Sequence, residues 1–187
     1  MKIMIASDIH GSAVCCRRLL AAFERETPDK LLLLGDLLYH GARNSLPGGY
    51  GTAETASLLN SIKSSILCVR GNCDSDVDQM VLEFPVMAEY CLLYAGKRMV
   101  FATHGHVFNK NNMPSLPPDG ILLQGHTHVP SWEEWGGRLC VNPGSVSLPK
   151  QDTPHSYMMM SDSGLAWKDL EGRIYHELPL QRRDLQA

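Results

Sequence analysis

The six cysteines of this chain contain no Cys-x-x-Cys pair, which removes a zinc ribbon and a thioredoxin-type redox site from consideration. No apolar run approaches the roughly 20 residues of a transmembrane helix, so no membrane is expected among the partners. Met1-Lys2 leads straight into a strand, without the longer apolar stretch and cleavage site of a signal peptide. A reduced, cytoplasmic compartment follows as the expectation. An excess of positive charge is missing too: 17 Lys and Arg stand against 20 Asp and Glu, for a net charge of −3. A dedicated nucleic-acid binder carries a basic face. A nuclease is therefore disfavoured, and no stable nucleic-acid complex is expected. There is no repeat of fixed period, no low-complexity tract and no linker long enough to split the chain. The 187 residues are read as a single domain, 1–187.

What is present is an ordinary globular balance, 44% hydrophobic and 20% charged, sufficient for a sizeable core. Cys15, Cys68, Cys91 and Cys140 lie in apolar surroundings and read as small core residues. The apolar run Ile3-Met4-Ile5-Ala6 reads as a buried strand that stops at Ser7-Asp8-Ile9-His10-Gly11. A helix is predicted over about 12–26. There Cys16, Leu19, Leu20 and Phe23 form one face, and Pro28 marks the stop. A second apolar run, Leu31 to Leu34, ends in Gly35-Asp36 and completes a βαβ unit with two parallel strands.

A Gly-rich loop over 40–52 and a short helix over about 53–63 follow. A third strand, 66–69, runs into Arg70-Gly71-Asn72-Cys73-Asp74, after which Ser75-x-x-Asp78 has the form of a capping box. From about 86 the pattern turns to strands. A hairpin is predicted from 87–94 and 98–103, ending in His104-Gly105-His106. A Pro-rich loop from Asn109 to Pro118 leads to a strand at 121–124 that ends in Gly125-His126-Thr127-His128. Short β runs follow at 130–135, 138–142, 156–160, 164–168 and 173–179, with a turn at Gly136-Gly137. The polar tail from Gln181 to Ala187 reads as loose.

Asp8, His10, Asp36, Asn72, His104, His106, His126 and His128 all follow apolar runs beside Gly. That places them at the carboxyl ends of strands, where open α/β sheets build their sites. Residues i and i+2 of a strand share a side, so Asp8 and His10 can converge. Carboxylates and imidazoles without a thiolate requirement suit divalent Mn, Fe, Zn or Co. They are too many for one metal. Two metals about 3.5–4 Å apart, sharing a carboxylate, would use them all.

Asp8-x-His10, Gly35-Asp36, Gly71-Asn72-x-Asp74, His104-Gly105-His106 and Gly125-His126-Thr127-His128, with Asn142-Pro143-Gly144-Ser145 after them, occur in that order. In these motifs the chain resembles the calcineurin-like metallophosphoesterases, and over its whole length their bacterial phosphodiesterase branch. The resemblance implies an α/β fold: a four-layer α/β/β/α sandwich of two packed mixed sheets flanked by helices. It implies one metal held by Asp8, His10, Asp36 and His128, and a second held by Asp36, Asn72, His104 and His126, with Asp36 bridging. It implies two divalent ions, Mn2+ before Fe, Zn, Co or Ni. His106 would lie near the site.

The function expected is metal-dependent hydrolysis of small phosphodiesters by a metal-bridging hydroxide. Asn72, Cys73, Asp74 and His106 are the candidate catalytic residues. Backbone N–H groups after His10 and Cys73 are expected to add anion binding. Cys73 occupies a position where many family members carry a His read as acid or phosphate binder. A thiol there offers little acid catalysis, so aryl diesters should be favoured over alkyl ones. The alternative reading is a non-catalytic scaffold, a role that this fold takes in the eukaryotic retromer coat. His40 reads as a solvated loop residue, and His155 and His176 as structural or surface ones. Arg70 is open between reaching phosphate and forming a salt bridge. Met158 to Met160 read as a core strand. Exposed β edges and Trp132 and Trp135 near a hairpin suggest a homo-oligomer.

Overall fold

The computed structural model describes residues 1–180; the tail expected to be loose lies outside the described residues. The first half alternates strand and helix: β1 (Ile3–Ala6), α1 (Ala13–Glu26), β2 (Lys30–Leu33), α2 (Thr52–Asn60), β3 (Ile66–Cys68) and α3 (Asp76–Val81). The second half is strand: β4 (Tyr90–Ala95), β5 (Arg98–Thr103), β6 (Ile121–Leu123), β7 (Ser131–Trp135), β8 (Arg138–Asn142), β9 (Ser156–Met160), β10 (Gly164–Asp169) and β11 (Ile174–Pro179). They form a six-stranded sheet of order β11-β10-β9-β1-β2-β3 and a five-stranded sheet of order β4-β5-β6-β8-β7. Both are mixed. β1, β2 and β3 run parallel, as do β5, β6 and β8, and the flanking strands are antiparallel.

Strands β1, β2 and β9 of the first sheet are buried on both faces, which is why they read as continuous apolar runs. Met4, Ala6, Leu31, Leu33 and Met159 face the helices and meet Cys16, Leu19 and Leu59. Ile3, Ile5, Leu32, Met158 and Met160 face the second sheet and meet Val100, Ala102, Ile121, Leu123 and Val141. The methionine run thus splits between two cores by strand alternation. Each fully buried Leu or Ile contributes about 1.5–3 kcal/mol. Of the cysteines expected in the core, Cys15, Cys68 and Cys140 are buried and Cys91 is half-buried.

The predicted helices form with small boundary shifts. Ser12 caps α1, its Oγ accepting from the Cys15 N–H at 3.2 Å. Thr27 closes that helix in the left-handed region at φ 46°. At α3 the backbone N–H and Oγ of Ser75 both donate to Asp78 Oδ2, at 2.7 and 3.0 Å. Gly136 and Gly137, at φ 57° and 75°, make the expected turn between β7 and β8.

The two mixed sheets and the helical cover of the first sheet match the sequence reading. On the outer face of the second sheet, the cover among the described residues is a loop. Phe108, Met113 and Leu116 pack there on Phe101, Leu122 and Cys140. Pro114, Pro117 and Pro118 prevent a helix in that segment.

Candidate metal centre

Five strand ends of the two sheets converge. β1 delivers Asp8 and His10, β2 Asp36, β3 Asn72, β5 His104, and β6 His126 and His128. Asp8, His10 and His104 are fully buried, and Asp36 and His128 nearly so. His126 is half-buried and Asn72 exposed toward the cleft. Five of these seven residues have left-handed backbone: Asp8 (φ 59°), His10 (49°), Asp36 (54°), His126 (67°) and His128 (63°). Non-glycine residues occupy that region rarely and at a cost of about 1–3 kcal/mol each. The tight corners turn the side chains inward instead of along the strands.

Backbone carbonyls fix the imidazoles. Nδ1–H of His10 donates to the Tyr39 carbonyl at 2.8 Å, that of His104 to Leu34 at 2.7 Å and that of His128 to Leu148 at 2.6 Å. A carbonyl can only accept, so Nδ1 carries the proton and Nε2 keeps a lone pair. Those lone pairs crowd one another. His10 Nε2 lies 3.3 Å from His128 Nε2, and Asp8 Oδ1 lies 3.5 and 3.3 Å from the two. Asp8 Oδ1 is buried without a hydrogen-bond partner. Asp36 Oδ2 sits 3.7 Å from His10 Nε2 and 3.5 Å from His104 Nε2, between two groups of donors. His104 Nε2 in turn approaches Asn72 Oδ1 at 3.0 Å and His126 Nδ1 at 3.2 Å.

An orphaned carboxylate oxygen beside facing lone pairs suits a cation, and the donor set fits divalent metal. Burial pushes Asp8 up, but the neighbouring His10 and His128 imidazoles outweigh it and hold the carboxyl well below its usual range. Burial lowers His10, and the contacts with Asp8, Tyr39 and Asp36 raise it further than burial lowers it. Burial and His104 hold His126 low, so its ring favours the neutral, ligating form.

The other candidates fall into place around this centre. Asp74 is buried, and its carboxylate accepts from the backbone N–H groups of Asp36 (2.8 Å), Leu37 (2.8 Å) and Gly71 (2.7 Å). It ties the β2 and β3 corners together. Cys73 N–H donates to Asp36 Oδ1 at 2.8 Å, and the Cys73 thiol shares one cluster with His10 and Asp36. Burial first, then the Asp36 carboxylate, push that thiol up to about 12. His106 is exposed, 5.4 Å ring to ring from His104.

The anion-binding N–H groups expected after His10 are occupied: Gly11 donates to the Leu37 carbonyl and Ser12 to that of Ile9. His40 is not a solvated loop residue. It is half-buried, edge-on to Tyr39 and Tyr50, with Nδ1 buried and unpartnered. Arg70 forms no salt bridge among the described residues, and its Nε donates to the Asp74 carbonyl at 3.3 Å. His155 donates to the Val146 carbonyl, and His176 stacks on Trp132, both structural.

Sequence reasoning missed the supports of the corners. Asn142 Nδ2 donates to the Gly125 carbonyl (2.7 Å) and to Thr127 Oγ1 (3.0 Å), holding the corner that carries His126 and His128. Ser145 Oγ and Ser147 Oγ both donate to the Asp8 carbonyl, at 2.9 and 3.1 Å. Asn142-Pro143-Gly144-Ser145 was visible as a motif, but only the fold shows what it touches.

Above the cluster opens a cleft of ≈ 840 Å³. Its walls include Tyr39, Arg43, Asn44, Arg70, Cys73 and Lys150. Residues 1–163 match the calcineurin-like phosphoesterase superfamily domain. Phosphodiesterase YfcE of Escherichia coli K12 is 46% identical over 166 residues, 89% of this chain and 90% of that protein. The solved structure of Yfce, described as a phosphoesterase from E. coli, superposes with a TM-score of 0.93 at 42% identity, covering 97% of this chain and 100% of that one. Wild-type Vps29 of Entamoeba histolytica complexed with Zn2+ superposes at 0.60 and 21% identity, covering 97% of this chain and 100% of that one, a likeness of fold.

Proposed function

Since this chain belongs to the calcineurin-like phosphoesterase superfamily, we propose that its centre hydrolyses small phosphodiesters with two divalent metal ions, Mn2+ being the first candidate. The single observation that carries the reading is Asp36, whose Oδ2 faces His10 on one side and His104 on the other. Asp8, His10 and His128 would hold one ion with Asp36. Asn72, His104 and His126 would hold the other with the same carboxylate.

When bound, such ions supply Lewis-acid charge for the phosphoryl oxygens and lower the pKa of a water so that it can attack phosphorus in line. The chain's own residues do the rest. Backbone carbonyls aim each imidazole, and the buried Asp8 keeps its charge toward the ions. Asn72 orients the phosphoryl group from the exposed side. Asp74 acts as a positioning residue through the backbone N–H groups that it holds. His106, exposed beside His104, is the nearest imidazole left to help the leaving group, since the Cys73 thiol is poorly matched to that task.

Cytoplasmic action is part of this proposal, as is self-association through exposed surface such as Trp132 and Trp135, 40% and 47% exposed. The scaffold reading is disfavoured because every ligand type is present and the orphaned Asp8 oxygen is aimed at them. The test is metal analysis of the purified protein followed by hydrolysis of bis(p-nitrophenyl) phosphate. Two ions per chain, with activity abolished by chelation and restored by Mn2+, are expected. Undiminished hydrolysis by the metal-free protein would overturn the reading.

A further inference from the structure

Three cationic side chains reach the cleft above the centre from three separate segments. Arg43 comes from the Gly-rich loop after β2, Arg70 from the end of β3, and Lys150 from the loop between β8 and β9. All three are exposed, and among the described residues none makes a salt bridge. Each is presented by a fixed turn. The Lys150 N–H donates to the His128 carbonyl at 3.3 Å, and Thr153 Oγ1 closes back on the Lys150 carbonyl at 2.7 Å. The Arg70 N–H donates to the Ala88 carbonyl at 2.7 Å, while its Nε alone is engaged, by the Asp74 carbonyl. Arg43 sits in a turn whose Asn44 bonds back to both Gly41 and His40.

Some surface cations elsewhere pair, as in Arg17–Glu54, Arg18–Glu171 and Lys63–Glu83, and the whole chain is net negative. The carboxylates lining the cleft do not pair with these three cations. Asp74 is saturated by backbone N–H groups, and Asp36 and Asp8 face the imidazoles. With the attacking hydroxide, Asp8, Asp36 and a singly charged diester would already balance two divalent ions. Three further cations would then stand uncompensated unless the substrate brings more negative charge.

We propose that the substrate is a phosphodiester bearing a second phosphate on one of its ester arms, and that Arg43, Arg70 and Lys150 receive this second phosphate. This rests on the phosphodiesterase reading and deepens it. Arginine grips phosphate with a fork of N–H donors, and lysine as a point charge. Together they select for charge beyond the reacting phosphorus.

The test compares thymidine 5′-(p-nitrophenyl phosphate) with the same molecule carrying a 3′-phosphate, using the metal-loaded protein and following substrate loss by chromatography so that cleavage of either ester bond counts. kcat/KM should be higher for the 3′-phosphate by about tenfold or more. The preference should shrink with added salt, as exposed charges are screened. In Arg43→Gln and Lys150→Gln the ratio between the two substrates should fall toward one. Calorimetry gives a second readout, independent of turnover. Thymidine 3′,5′-bisphosphate should bind more tightly than thymidine 5′-phosphate, and this margin should narrow in both variants. A substrate ratio near one in the unaltered protein, or a ratio unchanged in both variants, would overturn the proposal. Hydrolysis of bis(p-nitrophenyl) phosphate in parallel reports on the parent reading separately.

Discussion

Around Asp8, the imidazoles of His10 and His128 are buried and each is pinned through Nδ1 to a backbone carbonyl. Around Asn72, only His104 is held that way. His126 is half-buried and leans on His104, while Asn72 is exposed and its amide also touches the Cys73 thiol at 3.2 Å. The two halves of one cluster therefore differ in preorganisation. The first has its donors aimed before any ion arrives. The second would have to order two side chains to hold one, and ordering them costs conformational entropy. On these grounds the first half should bind its ion more tightly than the second.

The comparison breaks most completely at the residue both halves share. Asp36→Asn should remove both ions and lower phosphodiester hydrolysis by about 10³-fold or more. Retention of two ions per chain by mass spectrometry would contradict the sharing. The halves themselves separate in a metal titration. His128→Ala should abolish the tighter binding phase, and His126→Ala the weaker one, with the other phase kept; loss of both phases in each variant would erase the distinction.

A milder probe is Asn142→Ala, which leaves every ligand in place and frees the corner that carries both of those histidines. Metal affinity or activity should fall by about 10–100-fold, the usual effect of removing an outer support. No loss would mean that the corner holds itself. The smallest effect is expected at Cys73, on the exposed side. Cys73→His should raise kcat/KM for an alkyl diester more than for an aryl one, because only the alkyl leaving group needs an acid. Equal changes on both substrates would leave Cys73 a packing residue.

How legible these features are in the sequence follows from how local they are. Each ligand corner is an apolar run cut by Gly, so Asp8, Asp36, Asn72 and the His-x-His pairs could be found from neighbouring residues alone. The βαβ unit has the same local signature, and β1 and β2 pair in parallel as expected. What stayed hidden depends on partners far along the chain. Asp74 looks like a catalytic carboxylate until Gly71 and the turn at Asp36 and Leu37 claim both its oxygens. His40 looks solvated until Tyr39 and Tyr50 enclose it. Ser145 and Ser147 reach Asp8 across more than 130 positions of sequence, with no local sign of that contact. The loop that covers the second sheet was visible as Pro-rich, but its packing on Phe101 and Leu122 depends on the fold.

The left-handed corners have an evolutionary consequence. At Asp8, His10, Asp36, His126 and His128 the backbone favours glycine, whereas the chemistry demands a carboxylate or an imidazole. Replacing such a ligand by glycine would relieve strain while discarding the centre, so selection for thermal stability and selection for turnover pull these positions in opposite directions. A lineage released from catalysis could therefore lose its ligands and still gain a sturdier fold.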